Sequence, residues 1–236
     1  PAAGVMAMRG KSILYIFAAV AIALLSAVGA RAQSESSWYP LKADDGTDIV
    51  NYRVPVELES QIAALPGVVT VGNPRGDVTL VEFYDLNCPY CRKAAADLAA
   101  LVKADNELKL VLVPFPVLGV PSIQAGRVEF ALARLATPQQ FFEFNHLIFS
   151  GRGVVDGNRA LSVATSLGFS KEQLVKAADE EAVTKAMIAH VQLGNAMGLA
   201  ATPAFVIKGV AILGYPGKKS LVEIIKSIRT CDKVVC

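Results

Sequence analysis

A pair of closely spaced cysteines constrains this 236-residue chain more than any other feature of its sequence. The segment Cys88-Pro89-Tyr90-Cys91 follows an apolar run, Val78–Tyr84, which is typical of a strand buried on both faces. It precedes Arg92–Lys103, a run of strong helix formers whose large apolar side chains fall on one side. The sequence therefore predicts that Cys88 lies where a buried strand gives way to the N-terminus of a helix.

This position has a chemical consequence for Cys88. A helix N-terminus offers unpaired N–H groups and the positive end of the helix dipole, and both favour a thiolate over a thiol. We therefore expect the pKa of Cys88 to lie below the free value of about 8.5. Cys91 falls one turn further into the helix, within bridging reach, and Pro89 suits the first turn because its missing N–H costs nothing there. The arrangement is that of a reversible dithiol–disulfide pair.

A metal site is the alternative interpretation of these two cysteines. Zinc usually takes two further Cys or His ligands, and none lies within forty residues of the pair in the sequence. Copper(I) can be bound by two soft thiolate ligands, so a copper(I)-binding protein stays open as an alternative. The redox interpretation needs neither a metal nor a cofactor, and the strand and helix around the pair favour it.

Residues 1–32 have the pattern of a secretory signal peptide. Arg9 and Lys11 are basic, Ile13–Val28 is a predominantly apolar run of sixteen residues, and Ala30 and Ala32 are the small residues of a cleavage site. An uncleaved membrane anchor is the alternative, although the apolar run is short for a span. We expect cleavage after Ala32 and export to the periplasm or another oxidising compartment, where paired cysteines are common.

The charge balance excludes some classes of partner. Without residues 1–32 the chain has 20 basic and 21 acidic side chains, so its slight basicity belongs to the signal peptide. The remainder gives no reason to expect binding to nucleic acid or to an anionic membrane surface.

The rest of the chain predicts one domain with an insertion. Residues 33–65 are polar and mixed, and would form an N-terminal arm, a short hairpin around Asp45-Gly46 or an oligomerisation segment. Residues 66–230 begin as a βαβ unit, change to helices over about 122–198, and return to a hairpin around Lys208-Gly209 followed by a helix. The strands on either side need each other to complete a sheet, so the helical block interrupts a single α/β domain.

At this point the chain resembles the DsbA family of thiol–disulfide oxidoreductases, over about Val68–Arg229. The resemblance depends on Val81–Tyr84 leading into the cysteine pair, and on Thr202–Val206 more than a hundred residues later. It implies a thioredoxin-like fold with an inserted all-helical subdomain. It also implies exchange of disulfides with cysteine-containing substrate proteins, and a membrane redox partner that resets the dithiol.

The resemblance assigns roles to individual residues. Cys88 matches the exposed nucleophile and Cys91 the buried partner that resolves mixed disulfides. Pro203 matches a cis-proline that faces the pair, and a substrate chain is expected to lie along Thr202, the residue before it.

The two residues between the cysteines are expected to contact substrate as well. These are Pro89 and Tyr90. The best-known oxidase of the family has His in place of Tyr90, and a neutral phenol helps a thiolate less than an imidazolium does, so we expect a milder oxidant. Tyr90 and Thr202 are similar to residues of isomerase-like relatives and of the suppressor-of-copper-sensitivity (ScsC-like) branch. An isomerase or reductase therefore stays open; an isomerase usually needs an oligomerisation segment, and residues 33–65 are the candidate for one.

Glu82 is the most informative polar residue. It interrupts an apolar strand six residues before Cys88, where the family has a buried acid. Burial raises the pKa of a carboxyl group, which can then pass a proton to or from the inner thiol. The alternative is an acid that reaches solvent at a sheet edge.

The C-terminal tail, residues 231–236, contains the other two cysteines. Four residues separate Cys231 from Cys236, so a turn brings them into the usual range for a disulfide, and we predict that they pair with each other. A second redox pair that relays electrons to Cys88 and Cys91 is the alternative. His146 and His190, the only histidines, are expected to be ordinary helix residues.

Overall fold

The computed structural model describes residues 39–236. Its centre is one mixed sheet of six strands in the spatial order β1-β6-β5-β3-β4-β2. The strands are β1 (Asn51–Arg53), β2 (Val69–Gly72), β3 (Val78–Tyr84), β4 (Leu108–Pro114), β5 (Ala204–Ile207) and β6 (Val210–Leu213). Strands β3 and β4 are parallel, and every other neighbouring pair is antiparallel.

Eight α-helices surround this sheet in the described part of the chain. They are α1 (Val56–Glu59), α2 (Pro89–Ala104), α3 (Val120–Leu135), α4 (Pro138–Ser150), α5 (Gly157–Ser166), α6 (Lys171–Ala178), α7 (Glu181–Ala196) and α8 (Lys218–Cys231). A 3-10 helix, Ile62–Ala64, follows α1. Among residues 39–236 there is no helix with the length and apolar character needed to cross a membrane.

Strand β3 lies in the middle of the sheet because nearly all of its side chains are apolar. Six of its seven residues are buried, and only Thr79 is exposed. It runs into α2 through a short loop, and Cys88 is the N-cap residue of that helix. The predicted succession of buried strand, cysteine pair and helix is confirmed.

Helices α3–α7 form the inserted block between β4 and β5. Helix α3 packs against each of the other four, so it is the centre of the block. Helix α4 begins at the capping box that its sequence indicates, in which Thr137 and Gln140 exchange hydrogen bonds. The α/β class, with a thioredoxin-like fold and an all-helical insertion, is confirmed.

The two faces of the sheet bury different cores. Leu80, Glu82 and Tyr84 alternate along β3 toward the face covered by α2, α8 and the start of the insertion. Val81 and Phe83 point to the other face, where the end of α7 and residues 54–68 cover them. The dithiol helix therefore lies directly above Glu82 and Tyr84.

The segment before the sheet packs onto the domain. Leu41 and Ile49 are buried, and a bridge between Lys42 and Asp48 closes a turn at Asp45-Gly46. Strand β1 pairs with β6 at the sheet edge, so residues 51–53 are part of the same sheet. The signal peptide predicted for residues 1–32 lies outside the described residues.

Candidate active site

The two cysteines lie at the start of α2 and face each other within one turn. The backbone N–H of Cys91 donates a hydrogen bond to the Cys88 sulfur over 3.4 Å. The two sulfurs are not bonded to each other, so the geometry described is that of the dithiol form. Cys88 is only 4% exposed and Cys91 is fully buried. Cys88 was expected to be exposed, and this is wrong: the Thr202 loop lies against its sulfur and buries it.

The surroundings of Cys88 stabilise a thiolate. A hydrogen bond from the Cys91 side chain is the largest cause that lowers the pKa of Cys88 to about 6, and Thr202 and the backbone N–H groups of Cys91 and Tyr90 act in the same direction. Burial opposes them. At neutral pH Cys88 is therefore mostly ionised, as the helix N-terminus leads one to expect.

Cys91 is shifted in the opposite direction. Burial is the main cause that raises the pKa of Cys91 far above its ordinary value, and the neighbouring sulfur of Cys88 and the charge of Glu82 add to the effect. A thiolate formed at Cys91 would have to take up a proton at once. The two thiols of one short motif therefore have opposite chemistry.

The Thr202–Pro203 loop, which leads into β5, completes the site by contacting the sulfur of Cys88. Thr202-Pro203 is the cis peptide bond of the described chain, as predicted. In its protonated form Cys88 donates a hydrogen bond to the Thr202 carbonyl oxygen over 3.0 Å, whereas the Thr202 side chain lowers the pKa of Cys88. Pro203 is buried and Thr202 half-buried, and the Gly214 N–H holds the loop by donating to the Pro203 carbonyl over 2.9 Å.

Pro89 and Tyr90 form the outer surface of the motif. Both are exposed, and 62% of Tyr90 is accessible to solvent. They lie on the first turn of α2, beside the sulfur of Cys88, so a chain that approaches this sulfur meets them first.

Glu82 lies beneath the pair and is buried. It is 3% exposed and sits in a central strand, so the alternative of an acid at a sheet edge is wrong. Its Oε1 has no hydrogen-bond partner among residues 39–236. Burial raises the pKa of Glu82 to about 8, and the charges of Cys88 and Glu129 contribute. At pH 7 this carboxyl group is therefore mostly protonated.

A second buried acid was not foreseen from the sequence. Glu129, on α3, is 2% exposed, and the Tyr84 hydroxyl donates to its Oε1 over 2.6 Å. Burial raises the pKa of Glu129 to about 8, the Tyr84 hydrogen bond counteracts this shift, and the charge of Asp85 adds to it. Glu129 carries no signal of its burial in the sequence, because α3 also contains the exposed polar residues Gln124 and Arg134 and an acid is expected on the exposed side of such a helix.

Asp85 fixes the loop that delivers the cysteines. Its carboxylate accepts hydrogen bonds from the backbone N–H groups of Val117 and Leu118 and from the Ser122 hydroxyl, at 2.7–2.9 Å. These contacts tie the end of β3 to the first turn of the helical insertion. Within residues 39–236 no cluster of three or more His, Cys, Asp or Glu side chains is arranged to hold a metal ion.

Comparisons with known proteins agree with this geometry. The thioredoxin family model matches residues 65–227. A thioredoxin-like oxidoreductase from Silicibacter pomeroyi DSS-3 is 30% identical, with a TM-score of 0.67, over 73% of this chain and 98% of that one. No curated protein matches the chain.

Two further solved structures share the fold at lower identity. The thiol-disulfide exchange protein alpha-DsbA2 from Wolbachia pipientis is 21% identical, with a TM-score of 0.66, over 73% of this chain and 92% of that one. Proteus mirabilis ScsC in a compact conformation is 20% identical, with a TM-score of 0.67, over 93% of each chain. The chain therefore belongs to the thioredoxin family, and its helical insertion gives it the fold of the DsbA-like members.

Proposed function

We propose that this chain is an exported thiol–disulfide oxidoreductase that exchanges disulfides with cysteine-containing proteins through Cys88 and Cys91. One observation carries the proposal: Cys88 and Cys91 lie within the first turn of a helix, the Cys91 N–H donates to the Cys88 sulfur over 3.4 Å, and the cis Thr202-Pro203 loop lies against that sulfur. The directions of the two pKa shifts agree with it, since the pKa of Cys88 is lowered and that of Cys91 is raised. Such a pair has one sulfur that attacks or leaves as a thiolate and one that takes up a proton.

The first step begins from the oxidised pair. A substrate thiolate attacks the sulfur of Cys88, a new sulfur–sulfur bond forms, and the bond between Cys88 and Cys91 breaks with its electron pair left on Cys91. Glu82 is protonated at neutral pH and would supply the proton that Cys91 then requires. The product is a mixed disulfide between Cys88 and the substrate.

The second step releases the substrate. A second substrate thiolate attacks the substrate sulfur of the mixed disulfide, and Cys88 leaves as a thiolate. Its low pKa makes it a good leaving group. The substrate ends with one disulfide and the protein with two thiols, so a further disulfide, carried by a membrane redox partner, must reoxidise the pair.

The substrate chain would lie against Thr202, Pro89 and Tyr90. Thr202 contacts the Cys88 sulfur directly, and the two exposed residues flank it on the helix. A backbone that pairs beside Thr202 would bring a cysteine within reach of that sulfur without a deep pocket.

The low pKa of Cys88 favours oxidation as the direction of the reaction. It stabilises the reduced pair, and a stabilised reduced form makes the disulfide a stronger oxidant. Equilibration with glutathione tests this, and we expect a pair more oxidising than glutathione. A less oxidising pair, together with an oligomer formed through residues 33–65, would favour the isomerase or reductase alternative.

Export is also part of the proposal. The described chain contains a disulfide between Cys231 and Cys236, and such bonds persist in oxidising compartments. Fractionation of cells that express the whole chain should find the protein in the periplasm, shortened by the 32 residues of the predicted signal peptide.

Trapping tests the assignment of the two cysteines. The Cys91→Ser protein should accumulate a covalent adduct with an unfolded substrate whose cysteines have been converted to mixed disulfides with a small thiol. The Cys88 thiolate attacks the substrate sulfur, the small thiol leaves, and no inner thiol remains to release the substrate. The Cys88→Ser protein should form none. Mass spectrometry of the non-reduced mixture identifies the adduct and its site.

The control for trapping is a Cys231→Ser/Cys236→Ser protein, which should turn over normally. Absence of any adduct at Cys88 would contradict the proposal. Tight, stoichiometric binding of copper(I) without turnover of a dithiol would favour the copper alternative instead.

A further inference from the structure

A second acid and a tyrosine occupy the space next to Glu82. Tyr84 is the last residue of β3 and is fully buried, and Glu129 is 2% exposed on the central helix of the insertion. The hydrogen bond between them is 2.6 Å long. Glu82 and Tyr84 are two residues apart on one strand, so both point to the face that α2 covers.

No cation balances these acids. Among residues 39–236, no Lys, Arg or His side chain forms a salt bridge with Glu82 or Glu129. Two unpaired carboxylates in one buried region cannot both be ionised at low cost, so at least one of them holds a proton. Glu82 and Glu129 therefore titrate as a coupled pair, in which the ionisation of one affects the pKa of the other.

The groups near Glu129 come from strand β3, which contributes Tyr84 and Glu82, and from the loop after it, which contributes Asp85. Asn145, on α4, lies beside Tyr84, and its amide does not titrate. Of these, the Tyr84 hydroxyl alone donates to the carboxylate. That donation stabilises the ionised form of Glu129 in preference to that of Glu82, which has no donor at Oε1.

We propose that Glu129, held by Tyr84, is a positioning residue that keeps a proton on Glu82 for delivery to Cys91. When the pair of acids loses its first proton, the loss falls on Glu129, where the tyrosine stabilises the charge. That charge, close to Glu82, then retains the second proton. Glu82 therefore stays in its acid form to a higher pH than it would alone, and the inference rests on the exchange function proposed above.

The test follows the Glu82 carboxyl carbon by NMR in ¹³C-glutamate-labelled, oxidised protein, in which Cys88 and Cys91 form a disulfide and do not titrate. A Glu82→Gln protein assigns the signal by its loss. Glu129→Gln should lower the titration midpoint of Glu82 by about one pH unit, the usual size of the effect of one nearby charge. Tyr84→Phe should move it in the same direction, because Glu129 without its donor stays protonated.

Two further proteins serve as controls. Glu143→Gln, an exposed change on α4, should leave the midpoint unchanged. Glu129→Asp keeps a charge and should restore part of the shift. An unchanged midpoint in both Glu129→Gln and Tyr84→Phe, or shifts of opposite sign, would overturn the inference.

The exchange rate gives the matching functional measurement. The ratio of variant to unmodified rate with a small dithiol, taken at each pH, cancels the ionisation of the dithiol itself. In both variants this ratio should fall about tenfold on the alkaline side and stay near one at low pH. A shifted Glu82 midpoint with no exchange by the unmodified protein would retain the coupling and reject the proposed function. A shifted midpoint with a flat ratio would reject the role of Glu129 in proton delivery.

Discussion

Glu82 concentrates the chemistry of the site at a single residue. It is buried in a central strand with no donor at Oε1 among the described residues, and burial is the main reason that its pKa is raised to about 8. A folded-state pKa above the unfolded value of about 4.3 means that the folded protein holds a proton that the unfolded chain releases. The contribution of this residue to stability is therefore complete below the unfolded pKa and is lost as the pH rises through the folded one.

Replacing Glu82 with Gln should increase the stability of the protein and slow its disulfide exchange. Between about pH 4.3 and 8 the free energy of unfolding of the variant should exceed that of the unmodified protein by a margin that grows with pH, at a slope of at most about 1.4 kcal/mol per unit. Exchange should meanwhile slow by tenfold or more, because the amide cannot give Cys91 a proton. Urea unfolding and single-turnover exchange at several pH values measure the two effects.

The exposed Glu57→Gln is the matched control for Glu82→Gln, and should change neither quantity. A Glu82→Gln protein that exchanges disulfides as fast as the parent at every pH would leave Glu82 without a role in proton transfer.

The sequence identifies Glu82 but not Glu129, and the difference is physical. Glu82 is a lone acid in a short strand of apolar residues, so its burial follows from the strand alone. Glu129 belongs to a helix, where an acid at nearly any position can reach solvent if one side of the helix is free. Helix α3 has such an exposed side, which includes Gln124, but Glu129 lies on the side that meets Tyr84. A contact between segments 45 residues apart leaves little trace in a local pattern.

At the scale of elements, α7 connects the helical insertion to the sheet. His190 lies with its ring nitrogens 2.8 Å and 2.9 Å from the carbonyl oxygens of Pro114 and Pro66. Gly194, one turn further on, has no side chain, so the Phe115 ring comes directly against the helix backbone. The sequence identifies His190 as a helix residue but does not reveal these contacts, because their partners lie 76 and 124 residues away.

A Gly194→Ala change should therefore destabilise the protein, although Ala is the better helix former by about 1 kcal/mol. An added Cβ would lie 2.6 Å from a ring atom of Phe115, and the edge of that ring is already in contact with Phe83. Crowding of this kind typically costs about 1–3 kcal/mol, so we expect a net loss of up to about 2 kcal/mol in urea unfolding.

The neighbouring Asn195→Ala change isolates helix propensity, because Asn195 is exposed on the same turn. It should raise stability by a few tenths of a kcal/mol. An equal gain in Gly194→Ala would mean that Phe115 moves aside freely, which would contradict the packing described above.

At the scale of the whole molecule, the two ends of the described chain meet. Asp44 accepts hydrogen bonds from the backbone N–H groups of Lys219 and Ser220 at the start of α8, and β1 pairs with β6. The predicted disulfide between Cys231 and Cys236 is confirmed, with a Cα–Cα distance of 6.0 Å. It closes a small ring at the end of α8 that contains the buried Val234. The sequence indicates the turn at Asp45-Gly46, which is local, but not the contacts of Asp44 with α8 or of β1 with β6, because those partners lie far along the chain.

Replacing both tail cysteines with serine should cost at most about 2 kcal/mol, since a ring of this size removes little entropy from the unfolded chain. Disulfide exchange by Cys88 and Cys91 should continue at the parental rate. Thermal unfolding and a turnover assay measure the two outcomes. Loss of turnover in a folded double variant would favour the alternative in which the tail relays electrons to the first pair.

The sheet order also determines when the site comes into being. Cys88 and its partner Thr202 lie 114 residues apart, and β5 pairs with β3 only after the whole helical insertion has been made. A chain emerging from the ribosome or from a translocation channel thus exposes its cysteines long before the loop that covers them exists. The contact with the Thr202 side chain, which helps to lower the pKa of Cys88, is absent from such a nascent chain. Cys88 therefore reaches its full thiolate fraction only when synthesis is nearly complete, which limits premature disulfide formation with other nascent thiols.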